Sequence, residues 1–297
     1  MLRSARVPAV TLPLFLVSCL LSLVACGDST GPNGGPPPLR DKIVFVSDRD
    51  GPARLYVMDT DGTNPTLLAL ATGGIVTNPA VSPDGTKIAF QHNSEIWVIN
   101  SDRTGQTNLT NTLGLDNWPS WSPDGSKIAF ESDRDGDWEI YVMNADGTNP
   151  INITNHDASD RSPAWSPDGS KIAFTTDRDG DLEVYAIAPD GTGLVNLTQD
   201  PASDGTADWS PDGSRLVFVS NRTTGNKLFL MDADGSNVSA LPIPGNGFSP
   251  AWSPDGLRIA FDGGATGFDI WVINADGTSL TNLTNDPGPD GDPSWSP

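Results

Sequence analysis

The stretch WSPDGSKIAF, residues 121–130, returns unchanged at 165–174. Looser copies place Ser-Pro pairs at Ser82, Ser122, Ser166, Ser210, Ser253 and Ser296, in steps of 40, 44, 44, 43 and 43 residues. A fixed period in this range marks a repeat architecture, and it has to be read before any single residue. The KIAF-like segment recurs at 42–45, 87–90, 127–130, 171–174, 215–218 and 258–261. A third segment reads LYVMDTDGTN at 55–64, IYVMNADGTN at 140–149 and IWVINADGTS at 270–279. A fourth, NLT or similar, stands at 108–110, 152–154, 196–198 and 282–284. Each unit therefore holds four short runs rich in β-branched and aromatic residues, separated by Pro-Asp-Gly and Asp-Gly turn chemistry. No helical period appears past residue 26. Four antiparallel strands per unit, repeated, describe propeller blades.

The chain ends on DPSWSP at 292–297, an opening strand that never continues, and the repeats begin at 41–45 with a second strand lacking its first. The two fragments complement each other. The expectation is an all-β, six-bladed propeller whose C-terminal segment supplies the innermost strand of the blade containing 42–70. Trp121, Trp165, Trp209, Trp252 and Trp295 hold one repeat position, with Val81 as the odd member. Phe45, Phe90, Phe130, Phe174, Phe218 and Phe261 hold another. Both sets are expected to fill the wedges between neighbouring blades.

The segment PAWSPDGSKIAFTTDRDGDLEVY at 163–185 resembles the TolB-type, WD40-like propeller repeat, and the resemblance covers 41–297. It implies the propeller fold. In TolB proteins the propeller follows an N-terminal α/β domain and mediates periplasmic protein contacts. Only a short tether precedes it here, so those contacts do not carry over. Similar propellers cap prolyl oligopeptidase-like enzymes, but this chain leaves no room for a peptidase domain.

The N-terminus reads as targeting. Arg3 and Arg6 precede an apolar run from Val7 to Ala25, and Leu23-Val24-Ala25-Cys26 resembles a bacterial lipobox. Leu16-Val17-Ser18-Cys19 fits the same short pattern, but only Cys26 is followed by an abrupt polar turn. The expected organisation is a lipoprotein signal peptide at 1–25, a Gly/Pro-rich tether at 26–40 with Cys26 lipidated, and the propeller at 41–297. Losing Arg3 and Arg6 would take the net charge from −21 to −23. Gly27 after the cysteine does not match an inner-membrane retention signal, so the expected location is the cell envelope, on the periplasmic side of the outer membrane. The negative charge argues against nucleic-acid partners and leaves the lipid as the membrane contact. A monomer is expected.

An up-and-down blade sorts its loops by face. The tight turns carry Asp84, Asp124, Asp168, Asp212 and Asp255, where Asp bonds its own backbone. Lys87, Lys127, Lys171, Arg215 and Arg258 are expected to pair with those carboxylates. The opposite face carries longer, variable loops, where binding usually lives. There the candidate ligand residues are Asp133, Asp135, Asp137, Asp160, Asp177, Asp179, Asp181, Asp204 and Trp118. Asp208 and Asp292 are counted among the blade connections of this face. The alternating Asp133, Asp135 and Asp137 are the pattern a Ca²⁺ ion takes, although Gly136 falls at the fourth place and not the sixth of an EF-hand loop. A solvated hairpin without cofactor is the plainer expectation. His92 and His156 are expected as exposed loop residues, and no GxSxG motif occurs. The sequence thus points to a non-enzymatic scaffold binding an envelope protein, peptide or glycan on its acidic variable-loop face. The alternative is a carbohydrate-active glycosidase or lyase, with rim carboxylates facing each other beside Trp118 or Trp138.

Overall fold

The computed structural model describes residues 35–69, 74–265 and 267–297. The signal segment and Cys26 fall outside the described residues. Among the described residues, twenty-four strands form six four-stranded antiparallel sheets. Blade 1 is built from Lys42–Ser47, Arg54–Asp59 and Thr66–Ala69, with Asp290–Trp295 as its innermost strand. Blade 2 runs through Val76–Val81, Lys87–His92, Glu95–Asn100 and Thr107–Asn108. The innermost strands of blades 3 to 6 are Asp116–Trp121, Asp160–Trp165, Asp204–Trp209 and Asn246–Trp252.

The ring closes where the sequence placed the closure. Ile43 pairs with Trp295, Val44 with Ser294, Val46 with Gly291 and Ser47 with Asp290. Beyond the strand, Lys42 N–H donates to Ser296 Oγ at 2.9 Å and Ser296 N–H to Lys42 O at 2.9 Å. Both ends of the repeat array are thereby covered, and the outermost strands in blades 2 to 6 are only two residues long. Edges that short offer little template for another chain.

The turns form for local reasons. In the 122–127 turn, Ser122 Oγ donates to Asp124 at 2.6 Å and accepts Lys127 N–H at 2.9 Å. Gly125 takes φ 69°, a left-handed conformation that suits glycine. The Ser122 hydroxyl, with the N–H and hydroxyl of Ser126, holds the Asp124 carboxyl down at about 2. At the outer turn, a Cβ on Gly147 would lie 2.6 Å from Leu109 O of blade 2, so this turn packs directly on its neighbour's backbone. The Asn-X-Thr segments are turn devices too. Asn152 Oδ1 accepts Thr154 N–H at 3.1 Å and Asn155 N–H at 2.9 Å, and Thr154 Oγ1 accepts Ile140 N–H at 3.0 Å.

The core lies between blades. All six repeat phenylalanines are at most 1% exposed. One cluster joins Ile43, Phe45 and Met58 of blade 1 to Ala260, Ile270 and Val272 of blade 6 through Trp295. Trp295 also donates its indole N–H to Ala251 O at 3.0 Å.

Two expectations are corrected. The Gly/Pro-rich segment is not a free tether at its end: Leu39 N–H donates to Gly85 O at 2.7 Å, and Ser101 Oγ donates to Pro37 O at 2.6 Å. Residues 37–39 therefore lie on the tight-turn face of blade 2. The strand-start cations do not pair uniformly with turn aspartates. Arg258 reaches Asp255 at 3.8 Å, but Lys87 goes to Asn100 and Arg215 lies over the Trp252 ring at 5.1 Å. A side chain leaving a strand edge reaches the neighbouring strand or blade as easily as its own turn.

Replacing Trp295 by Ala should cost about 3–5 kcal/mol in urea unfolding, as removal of a buried aromatic does. A loss below ~1 kcal/mol would show that the closing strand does not hold the ring.

Candidate docking face and central channel

The variable-loop rim contains a repeated ion pair that sequence inspection missed. Asp116, Asp160, Asp204 and Asp290 open four innermost strands and are 0–1% exposed. Each meets an arginine from the following loop: Arg134–Asp116 at 2.8 Å, Arg178–Asp160 at 3.0 Å, Arg49–Asp290 at 3.0 Å, and Arg222–Asp204. A second bond runs from the same guanidinium to a strand hydroxyl, as from Arg134 Nε to Ser132 Oγ at 2.8 Å. The guanidinium also lies over two aromatic rings. Arg134 stands 5.2 Å from Phe130 and 4.6 Å from Tyr141. Such a partner offsets the cost of burying an ionised carboxylate. Asp160 and Asp204 are therefore removed from the candidate ligand surface.

The DRDGD loops at 133–137 and 177–181 spend most of their carboxylates on themselves. Asp133 accepts Leu115 N–H at 2.6 Å, and Asp177 accepts Ser159 N–H at 2.9 Å. Asp135 and Asp179 accept the hydroxyls of Tyr141 and Tyr185. Burial and the bond to Asp179 push the Tyr185 phenol up to about 12. Asp137 and Asp181 are left exposed at the loop tips. The three aspartates at 133, 135 and 137 do not converge, and no group of three or more metal-binding side chains gathers among the described residues. Glutamates opening the third strands cap the blade connections. Glu95 accepts Thr112 N–H at 3.1 Å, Glu139 accepts His156 N–H at 2.7 Å, and Glu183 accepts Asp200 N–H at 3.0 Å. Their recurrence one place before the apolar third strand was the readable signal. His156 is exposed as expected, but His92 is buried, edge-on to Trp97 with ring centroids 5.5 Å apart.

A cavity of about 310 Å³ lies on the ring axis, lined by the innermost strands. Each of these strands has a bulge. At each bulge one non-glycine residue takes positive φ: Asn78, Trp118, Ser162, Thr206, Ser249 and Asp292, at 44–52°. Such a conformation costs on the order of 1–2 kcal/mol per residue. The gain is an amide turned toward a neighbouring side chain. Ser162 N–H donates to Glu131 at 2.8 Å, Thr206 N–H to Thr175 Oγ1 at 2.9 Å, and Asn78 N–H to Asp292 at 3.0 Å. Trp118 thus lines the channel and is not a rim platform, while Trp138 on the rim is covered by Arg161 at 4.3 Å. Asp208 and Asp292 also line the channel, in place of the blade connections expected for them.

The seams between blades are of two kinds. Val81 N–H donates to Ser294 Oγ at 3.2 Å, Trp165 N–H to Ser120 Oγ at 3.2 Å and Trp252 N–H to Asp208 at 2.7 Å, at seams 1–2, 3–4 and 5–6. At seams 2–3 and 6–1 the bond comes instead from an indole: Trp121 Nε1 to Ala80 O and Trp295 Nε1 to Ala251 O, both 3.0 Å.

Enclosure raises several channel carboxyls. Burial pushes Asp208 up to about 6 and raises Glu131. Asp262 sits next to Asp292 at the closing seam, accepting its N–H at 3.3 Å. Burial, then the Asp292 charge, lifts the Asp262 carboxyl to about 7, and burial raises Asp292 as well.

These features sit in a recognisable setting. The TolB β-propeller domain model matches residues 71–162 and 151–246, and the chain belongs to that family. Among solved structures, TolB from Acinetobacter baumannii is 26% identical, covers 89% of this chain and 68% of that one, and superposes with a TM-score of 0.78. A putative TolB from Agrobacterium tumefaciens is 22% identical over 82% of this chain and 88% of that one, TM-score 0.66. An oligogalacturonate lyase in complex with manganese is 17% identical over 82% and 74%, TM-score 0.61. The latter two show the shared fold alone. No curated protein sequence matches the chain.

The Asp262 carboxyl is favoured with its proton on. An unfolded aspartate titrates near 3.9, so its contribution to stability is full below about pH 4 and is lost as pH rises to about 7. Asp262→Asn should match the parent in urea midpoint near pH 4 and exceed it at pH 8. A midpoint difference that does not change with pH would refute the buried-pair account.

Proposed function

We propose that this chain is a protein-interaction scaffold of the bacterial cell envelope. It acts as a monomer, is held at the outer membrane by lipid on Cys26, and docks its partner on the variable-loop rim. Family membership supports the scaffold role. The contrast between the two faces carries the choice of rim. The turn face repeats the same turns, whose Ser, Asp and Thr side chains are spent on one another and on the turn's own backbone. The rim connections differ from blade to blade, yet carboxylate caps hold them stiffly. Variable loops on a rigid frame are the usual basis of specificity. The partner class is an envelope protein, peptide or glycan.

Trp118, Asp208 and Asp292 share the channel lining, which is the arrangement the glycosidase reading would use. Both carboxylates are bonded to backbone amides of the next blade, Trp252 and Asn78. That fits a structural duty better than general acid–base work.

Cys26→Ser should release the protein into the soluble fraction and abolish fatty-acid labelling. Photo-crosslinkers placed at Asp137 and Asp181 in cells should capture partner, and those at Thr86 and Ser126 on the turn face should not. Capture from the turn face alone would refute the face assignment. Polysaccharide turnover that disappears in Asp208→Asn would refute the scaffold reading.

A further inference from the structure

We infer that one arc of the rim, over blades 6, 1, 2 and 3, docks a protein segment that interleaves bulky apolar side chains with Lys and Arg. The inference rests on the rim being the docking face and names the chemistry of what binds there. Six places before each tryptophan position stand Ile75, Leu115, Ser159, Ser203, Asn246 and Pro289 in blades 2, 3, 4, 5, 6 and 1. The apolar members are neighbours. Two places before Leu115 stands Leu113, where the matching connections have Asp157, Pro201 and Pro287. Leu113 is fully exposed, Ile75 is 68% exposed and Leu115 44%. Exposed apolar side chains grouped in this way mark interaction sites.

The loop presenting them is fixed. Glu95 holds Thr112 N–H at 3.1 Å, Asp133 holds Leu115 N–H at 2.6 Å, and Gly114 lies so close to Arg134 that a Cβ would sit 2.8 Å from its Cα. Its ordering cost is met on folding, so little remains to oppose binding. At the 6–1 seam, Phe268, Val46, Ala53 and Pro289, with Asp48 and the Asp290–Asp292 strand, line a hole of about 200 Å³. The hole suits one bulky apolar side chain as an anchor.

Charge selects the occupant. The chain carries −21, and Asp50, Asp135 and Asp137 are exposed on the loops of this arc. Two of its arginines, Arg49 and Arg134, are turned inward onto Asp290 and Asp116, while Arg54 is half-buried at the start of its strand. A cationic segment is attracted, and a second copy of this acidic chain is repelled. Residues 37–39 lie on the opposite face.

The test uses the Cys26→Ser full chain and fluorescence anisotropy with three short labelled peptides, alternating Leu–Lys, Ser–Lys and Leu–Glu. The Leu–Lys peptide should bind about tenfold or more tightly than either other. Leu113→Ser with Leu115→Ser, and separately Phe268→Ser, should each weaken it about tenfold, while Asp157→Ser leaves it unchanged. Melting curves confirm that each variant is folded. Equal binding of Ser–Lys and Leu–Lys, no binding at all, or full binding by both arc variants overturns the inference. If binding is instead lost in Asp157→Ser, the arc is wrong and the rim face stands. Crosslinks confined to Thr86 and Ser126 remove the face itself.

Discussion

The antiparallel pairing of Asp290–Trp295 with Lys42–Ser47 is the constraint on which the molecule rests. Every blade buries its apolar face against the next, so an open array would leave two faces uncovered. Pairing the chain's end with its beginning removes both. The same pairing brings Asp292 beside Asp262 and sets Asn78 N–H on Asp292. The channel wall and the blade 6–1 boundary therefore depend on one strand of six residues. Loop-closure entropy over the intervening chain opposes this contact, but it grows only slowly with length.

Polar residues make the ring rigid more than they make it reactive. The rim arginines neutralise buried aspartates and at the same time stack on the aromatic pair of their own blade. One guanidinium thus ties a loop, an innermost strand and two middle strands together. The strand-three glutamates do the same for the connections. What remains free on the rim is a small set: the tips of the acidic loops and a handful of apolar side chains. Loops held at both ends by such bonds can present those few residues with little motion.

The repeat period, the complementary ends and the fixed Phe and Trp positions were legible because they follow from spacing and from the demand that a wedge be filled. The turn aspartates were legible because Asx chemistry is local. The fate of the rim aspartates was not. Asp160 and Asp181 look alike in a sequence, yet one is buried on Arg178 and the other is exposed. Only strand register decides which. Trp118 was misplaced for a related reason. A bulge at Asn117–Ser120 turns it into the channel, and a bulge leaves no mark in a two-residue alternation. His92 was misread as a loop residue, but it ends the second strand at the place held by Ser47, Ser132, Thr176 and Ser220, all of them buried.

The two kinds of seam follow one another around the axis at five of the six seams, while at seam 4–5 the Trp209 indole N–H has no partner. The residue before each tryptophan position is Ser294, Ser120 or Asp208 in blades 1, 3 and 5, and Ala80, Ala164 or Ala251 in blades 2, 4 and 6. The odd blades offer an acceptor and the even blades a bare carbonyl. Adding or deleting a single blade would set two like partners side by side and leave an amide without its mate. Growth or loss in pairs would keep the order of acceptors around the ring. The toroid therefore has a parity, with the blade pair as its smallest exchangeable module.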